Sequence, residues 1–216
     1  TQGMVCHETY QDENNNWLSP EEIEKINDKL VKKDDHKIGV KVGPSESMSK
    51  SKKNVIDPEY IINNYGADSV RLFILSDSPP EKDVQWSDQG MVSSFKFIQK
   101  LWILNQKILD EIQKKHLNDV DSEFEKVTNI FIKNVTVNLS KFTYNKIIAN
   151  FYEIYSSLSK LMKKKYSSKT IVQNYRKILI CMMPVIPHFS NECLELLKDE
   201  REIKWPKIDE KFLIEE

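Results

Sequence analysis

Apolar positions in this 216-residue chain change rhythm part-way along. From about position 87 they recur every three or four residues, the spacing that places them on one face of a helix. Ser87 is placed to cap a long helix reaching about His116, with Met91, Phe95, Ile98, Trp102, Leu109 and Ile112 as its inner stripe. Asn118-Asp119 breaks it. A second helix is predicted from about Asp121 to Phe142, with Phe124, Val127, Phe131, Val135 and Leu139 inside. A third runs from about Asn145 to Tyr166, burying Ile148, Phe151, Tyr155, Leu158 and Met162. After a turn at Ser167-Ser168, a fourth runs from Lys169 to Met183 on Val172, Tyr175, Leu179 and Met182. Pro184 and Pro187 force a bend before a last short helix, His188 to Leu197. Long amphipathic helices joined by short turns predict an antiparallel bundle. Aromatic residues on these stripes are read as core rather than as stacking platforms.

Before position 87 the elements are shorter. Gln2 to Thr9 reads as a strand and Asp12 to Asn16 as a polar turn. Ser19-Pro20-Glu21-Glu22 has capping-box spacing and predicts a helix to about Lys33. Ile38 to Val42 alternates apolar and polar residues, as an edge strand does. Asp57-Pro58 opens a short helix that Gly66 stops after Tyr65. Asp68 is expected to cap the next one, which carries Val70, Leu72, Phe73 and Leu75 and ends at Pro79-Pro80. Asp68 and Arg71 are read either as functional residues or as a helix cap and a structural ion pair. His7 and His36 show no partner pattern and are read as surface or structural.

A length of 216 residues allows one large domain or two small ones, and 39% hydrophobic residues are enough for a core. A net charge of -1 gives no global field toward nucleic acid. The distribution is more informative. Between Tyr144 and Met183 the basic residues are Lys146, Lys160, Lys163, Lys164, Lys165, Lys169, Arg176 and Lys177, against a single acid, Glu153. Both ends lean acidic. A basic middle between acidic ends predicts a face for polyanions, with a merely solvated lysine surface as the alternative. Cys6, Cys181 and Cys193 are scattered and form no CxxC pair. They predict neither a zinc site nor a disulfide framework, and they fit a reducing, cytoplasmic compartment. No apolar run reaches membrane length.

The stretch with chemistry is Ser47-Met48-Ser49-Lys50-Ser51-Lys52-Lys53-Asn54-Val55-Ile56, between the edge strand and the Asp57-Pro58 helix start. A short loop with a long cationic arm suits a polyphosphate that is gripped and released. Lysine is a mobile point charge with three donors, and serine hydroxyls and loop N–H groups add neutral ones. A solvated Ser/Lys linker is the alternative.

The residues that follow, with Tyr65-Gly66-Ala67-Asp68 and Arg71-Leu72, resemble the signature-loop region of class I aminoacyl-tRNA synthetases. Ser78-Pro79-Pro80-Glu81-Lys82-Asp83 and Trp86-Ser87-Asp88 narrow the resemblance to leucyl-tRNA synthetases, as does the opening Thr1-Gln2-Gly3-Met4-Val5. The resemblance implies a mainly α chain. The end of an α/β catalytic domain with the signature loop occupies 1–56, and a helical connector that touches the inner corner of tRNA occupies 57–90. A helical bundle of the anticodon-binding type spans 91–205, and 206–216 is an acidic tail. The resemblance also implies leucine activation by ATP, with Mg2+ accompanying the ATP, and transfer to leucine tRNA. Lys50 is then the catalytic cation, and Met48, Ser49, Lys50 and Ser51 are the ATP-binding residues. Lys160, Lys163, Lys164, Lys165, Lys169, Arg176 and Lys177 are candidates for tRNA phosphates. Family loops usually begin with lysine, and here that position is Ser47; Lys52 or Lys53 supplies the second charge, or the reaction is weakened. No His-Ile-Gly-His motif and no glycine-rich nucleotide turn is present. The expectation is a partial enzyme, monomeric and away from membranes, that meets ATP and leucine through a preceding part and is inactive alone. A stand-alone RNA-binding module or a purely structural bundle are the competing readings.

Overall fold

The computed structural model describes residues 3–198 and 201–213. The chain opens with strand β1 (Val5–Gln11), which turns back through Asp12 to Asn16 into the two-residue β2 (Trp17–Leu18). The Asp12 carboxylate closes that turn by accepting the Asn14 and Asn16 N–H groups, both at 2.9 Å. Ser19 and Glu22 do form the capping box, but it starts only one 3-10 turn, Pro20–Glu22. The helix expected to reach Lys33 is instead a hairpin of β3 (Ile23–Ile26) and β4 (Lys29–Lys32). The reason lies in Asn27 and Asp28. Both take left-handed backbone, with φ of 47° and 64°, as a two-residue hairpin turn demands and as these two residue types tolerate.

Strand β5 (Lys41–Ser47) lies antiparallel to β1, with His7 opposite Glu46 and Cys6 opposite Ser47. It starts and ends later than the expected Ile38–Val42 strand. After the loop come α1 (Pro58–Tyr65) and α2 (Ala67–Ser76), with Gly66 between them at φ 79°. Asp57 caps α1 through the Glu59 N–H at 3.0 Å. Strand β6 (Val84–Gln85) pairs in parallel with β1, an element the sequence pattern did not announce. Trp86-Ser87-Asp88 then launches α3 (Asp88–Gln113). Ser87 accepts the Gly90 N–H at 3.1 Å, and the Trp86 indole donates to Asp88 at 2.9 Å while packing edge-on to Phe73. A Cβ on Gly90 would sit 2.7 Å from the Phe73 ring, so only glycine lets α3 pass α2 this closely.

The bundle continues with α4 (Glu123–Ser140), α5 (Tyr144–Leu161), α6 (Ser168–Met182) and α7 (Pro187–Leu196). Helix α6 is its axis, with Ile171, Tyr175, Ile178, Leu179, Cys181 and Met182 all buried. Each large side chain so buried contributes roughly 1.5–3 kcal/mol. Met91 is buried as expected, but beyond it the inner face of α3 differs from the expected stripe. Phe97, Leu101, Leu104 and Ile108 are buried, whereas Trp102 is 38% exposed and Phe95, Ile98, Leu109 and Ile112 flank the core. The two stripes satisfy the same spacing one residue apart, so periodicity alone could not choose between them. Among the described residues no helix is long and apolar enough to cross a membrane.

Helix α2 ties the front of the chain to the bundle. Asp68 does not cap its own helix; Gly66 stands at that position. Its carboxylate instead accepts the Phe189 N–H at 2.6 Å and the His188 N–H at 3.3 Å, capping α7, and meets the His188 ring nitrogen Nδ1 at 2.9 Å. Among the described residues Arg71 makes no ion pair: its Nε and Nη2 donate to the Val185 and Pro184 carbonyls, both at 2.9 Å. Side chains one turn apart thus hold both flanks of the proline bend. Removing the cap with Asp68→Ala should destabilise the chain by about 1–2 kcal/mol, visible as a lower midpoint in urea unfolding. An unchanged midpoint would show that α7 is held by packing alone.

Candidate active-site loop and nucleic-acid interface

The loop begins where β5 ends. Residues Lys50–Lys52 form one 3-10 turn. Ser49 is its N-cap: its hydroxyl accepts the Lys52 N–H at 3.4 Å and lies 3.3 Å from the Ser51 hydroxyl. Lys53 closes the turn in left-handed backbone, with φ of 54°. The Met48 N–H donates to the Val5 carbonyl at 3.3 Å, and its side chain is half-buried. Ser49 and Met48 therefore shape the loop at rest, whereas the Ser51 side chain is exposed.

The lysines have different fates. Lys52 pairs with Glu46 on β5, and Lys53 pairs with Glu22 at 3.1 Å. Glu22 also accepts the Ser19 N–H at 2.7 Å, and this bond chiefly holds its carboxyl below the usual range. Lys50 is exposed and has no hydrogen-bond or ion-pair partner among the described residues. It lines a cleft of about 370 Å³ with Lys53, Ser19, Glu21 and Asp57. On the other side, Lys52, Ser45, Ser47, Glu46 and Asp83 line one of about 510 Å³. Carboxylates line both clefts, so neither side of the loop is a wholly cationic pocket for phosphate. The loop offers one cationic arm on a fixed base.

That base is Asn54, which is fully buried. Its Oδ1 accepts the Ser49 N–H at 2.9 Å, and its Nδ2 donates to the His7 and Glu46 carbonyls, both at 3.2 Å. One amide thus joins the loop to β1 and β5.

The basic candidates gather at the far end of the bundle, with exceptions. Lys160, Lys163, Lys165 and Lys169 are exposed and unpaired among the described residues. Lys164 bonds to Asp121 at 2.8 Å and to Glu123. That contact, with the Tyr166 hydroxyl at 2.9 Å, brings the Asp121 carboxyl down to about 2. Arg176 is buried, 8% exposed, and its Nη2 donates to the Arg201 and Glu202 carbonyls at 2.7 and 2.9 Å. It holds the acidic tail, which continues along α4 through Trp205 to Thr136 and Asp209 to Asn129. Lys177 is half-buried on the same helix. The end of α3 joins this cluster, since Ser168 bonds to the Ile112 and His116 carbonyls at 2.7 and 3.2 Å, bringing Lys115 alongside.

Two family descriptions match the chain: tRNA synthetases class I (I, L, M and V) over residues 40–87, and the anticodon-binding domain of tRNA ligase over 121–216. The leucine–tRNA ligase of Orientia tsutsugamushi is 42% identical over all of this chain, and that of Rickettsia massiliae 37% identical over 99% of it. The chain belongs to the class I tRNA synthetases. It spans 26% of the length of those two relatives. Its fold is shared with the ternary complex of Agrobacterium radiobacter K84 LeuRS, tRNA and LeuAMS, at a TM-score of 0.68 and 23% identity over 78% of this chain and 23% of that one. Mycobacterium tuberculosis methionyl-tRNA synthetase with methionyl-adenylate gives 0.56 and 19% over 68% and 35%.

Within this class I frame, Asn54 and Lys115 are the residues that sequence reasoning passed over. Asn54 left a weak trace as a lone amide between a lysine run and Val-Ile. Lys115 sits in the run Lys114-Lys115-His116, outside the window counted as basic. Asn54→Ala would strand a buried N–H and two carbonyls and should cost about 1–3 kcal/mol. It should also speed tryptic cleavage at Lys50 to Lys53 well before global unfolding. Cleavage at the parent rate would mean that the ion pairs hold the loop without it.

Proposed function

We propose that the chain supplies the phosphate-facing loop and tRNA-bearing helices of a leucine–tRNA ligase. The reaction class rests on whole-chain likeness to leucine–tRNA ligases, and the observation that carries the loop's role is the isolation of Lys50. In the proposed step, a leucine carboxylate oxygen bonds to the α-phosphorus of ATP. The bond to the bridging oxygen breaks, and pyrophosphate leaves with negative charge growing on its oxygens. A cation that meets this charge as it develops stabilises the transition state more than the bound substrate. Lys50 is that cation, with Ser51 as a neutral donor, and Met48 and Ser49 hold the loop that presents it. Lys52 and Lys53 are held by carboxylates and Ser47 carries no charge, so this loop works with one free ammonium. Among the described residues no group of three or more His, Cys, Asp or Glu could hold a metal ion. Mg2+ is proposed to accompany the ATP phosphates, its usual partners in nucleotide sites.

Lys160, Lys163, Lys165 and Lys169, joined by Lys115, are the surface proposed for tRNA phosphates. Lys164, Lys177 and Arg176 have lesser claims, being paired, half-buried and buried respectively.

In the full-length protein, Lys50→Ala should slow leucine-dependent pyrophosphate exchange about a hundredfold, or roughly 3 kcal/mol, with little change in leucine affinity. Ser47→Ala should be nearly silent. Equal damage from both would transfer the role to the strand end. Reversing Lys163, Lys165 and Lys169 to Glu should weaken all tRNAs alike and flatten the log–log salt slope by about 0.9 for each phosphate left without its lysine. An unchanged slope would move the interface elsewhere.

A further inference from the structure

A second feature faces solvent at the opposite end of the bundle, in the turn from α4 to α5. Among the described non-glycine residues with positive φ, all but one are Asn, Asp or Lys; the exception is Phe142, at φ 54°. A bulky side chain in left-handed backbone is strained, because its Cβ crowds the following carbonyl oxygen. Burial does not offset that strain here, because Phe142 is 65% exposed. The turn beneath it is firmly built. The Phe142 N–H donates to Leu139 at 3.1 Å, the Thr143 N–H to the Asn138 carbonyl at 2.9 Å, and the Thr143 hydroxyl to Asn138 Oδ1 at 2.9 Å. Phe142 is thus a strained aromatic ring held out rigidly from a fixed turn.

Its surroundings indicate what it meets. Phe142 and Tyr144 stand edge to face at 6.3 Å between centroids. They form one wall of a cleft of about 730 Å³ whose other wall is Arg71, Ile74, Pro80 and Glu81. Lys141 and Lys146 flank the two rings in sequence. Both are exposed, and neither side chain has an ion-pair or hydrogen-bond partner among the described residues. Aromatic rings interleaved with uncommitted cations at an open apolar cleft fit a single-stranded nucleotide, with its base on the ring and its phosphate on the lysines. A wholly apolar partner would leave both lysines unused.

We infer that the cleft between α2 and the α4–α5 turn takes one unpaired nucleotide of the tRNA, its base stacked on Phe142 and its phosphate against Lys141 and Lys146. This rests on the reading of the protein as a tRNA ligase. The Glu81 carboxylate on the facing wall can accept from an amino group on the base edge.

The test uses the full-length protein and leucine tRNA transcript, with filter binding at two salt concentrations and thermal unfolding. Phe142→Gly and Phe142→Leu should each weaken tRNA binding roughly tenfold, whereas Phe142→Tyr and Phe142→Trp keep it. Phe142→Gly should hold or raise Tm, because glycine accepts the left-handed backbone. Parent-like binding by the glycine and leucine variants overturns the inference. Full binding by Phe142→Leu with weakened binding by Phe142→Gly overturns it too, since apolar bulk alone then suffices. A lower Tm for Phe142→Gly also overturns it, by showing that the ring packs against another part of the protein. Failure of the parent to bind leucine tRNA would instead count against the function itself.

Discussion

Two charged side chains on one short helix decide how the front and back of this molecule meet. Asp68 and Arg71 lie 120 and 114 positions before their partners at His188 and Val185. Each addresses a different defect of the same bend. Two prolines leave the chain without its usual hydrogen bonds there. The guanidinium fork takes the stranded carbonyls before the second proline, and the carboxylate takes the free N–H groups after it, where the helix dipole also favours negative charge. Because both groups project from α2, the bend that closes the bundle is also where the support of the lysine–serine loop is bolted on. Neither group forms an ion pair with the other, so the clamp depends on direction rather than net charge.

The loop is organised by subtraction. Of the lysines at 50, 52 and 53, two are taken by Glu46 and Glu22, and what remains is one ammonium in solvent. Glu46 also gives its carbonyl to Asn54, so a single β5 residue fixes both the base of the loop and one of its charges. Glu22 does comparable work from the capping box, accepting from Ser19 and Lys53 together. A polar network of this kind, fully satisfied, holds one geometry where a bare Ser/Lys linker would sample many.

Much of this was legible in the residues. The bundle helices were readable because apolar spacing persists over several turns, and caps at Asp57 and Ser87 marked real starts. The loop was readable because its residue types are unusual together. Failures came where local signals conflict or partners are distant. Ser19 to Glu22 carries a true capping box, yet Asn27-Asp28 outweighs it and makes a hairpin. Both apolar stripes of α3 obey the same period, and only the neighbours select Leu101 over Trp102. Arg176 looked like part of a basic patch because sequence cannot show that the tail folds back over it. Asn54 drew no notice because a buried amide is recognised by its three partners, not by its identity.

Helix α2 also belongs to two interiors at once. Leu72 is buried in the bundle core, and its neighbour Phe73 in the small cluster with Ile61 and Met91 that carries α1. Adjacent residues point roughly 100° apart on a helix, so one backbone serves both without a break. Unravelling α2 would therefore expose both interiors together. The shared helix couples the two regions, and amides of α2 are expected to be protected against solvent as well as those of the bundle.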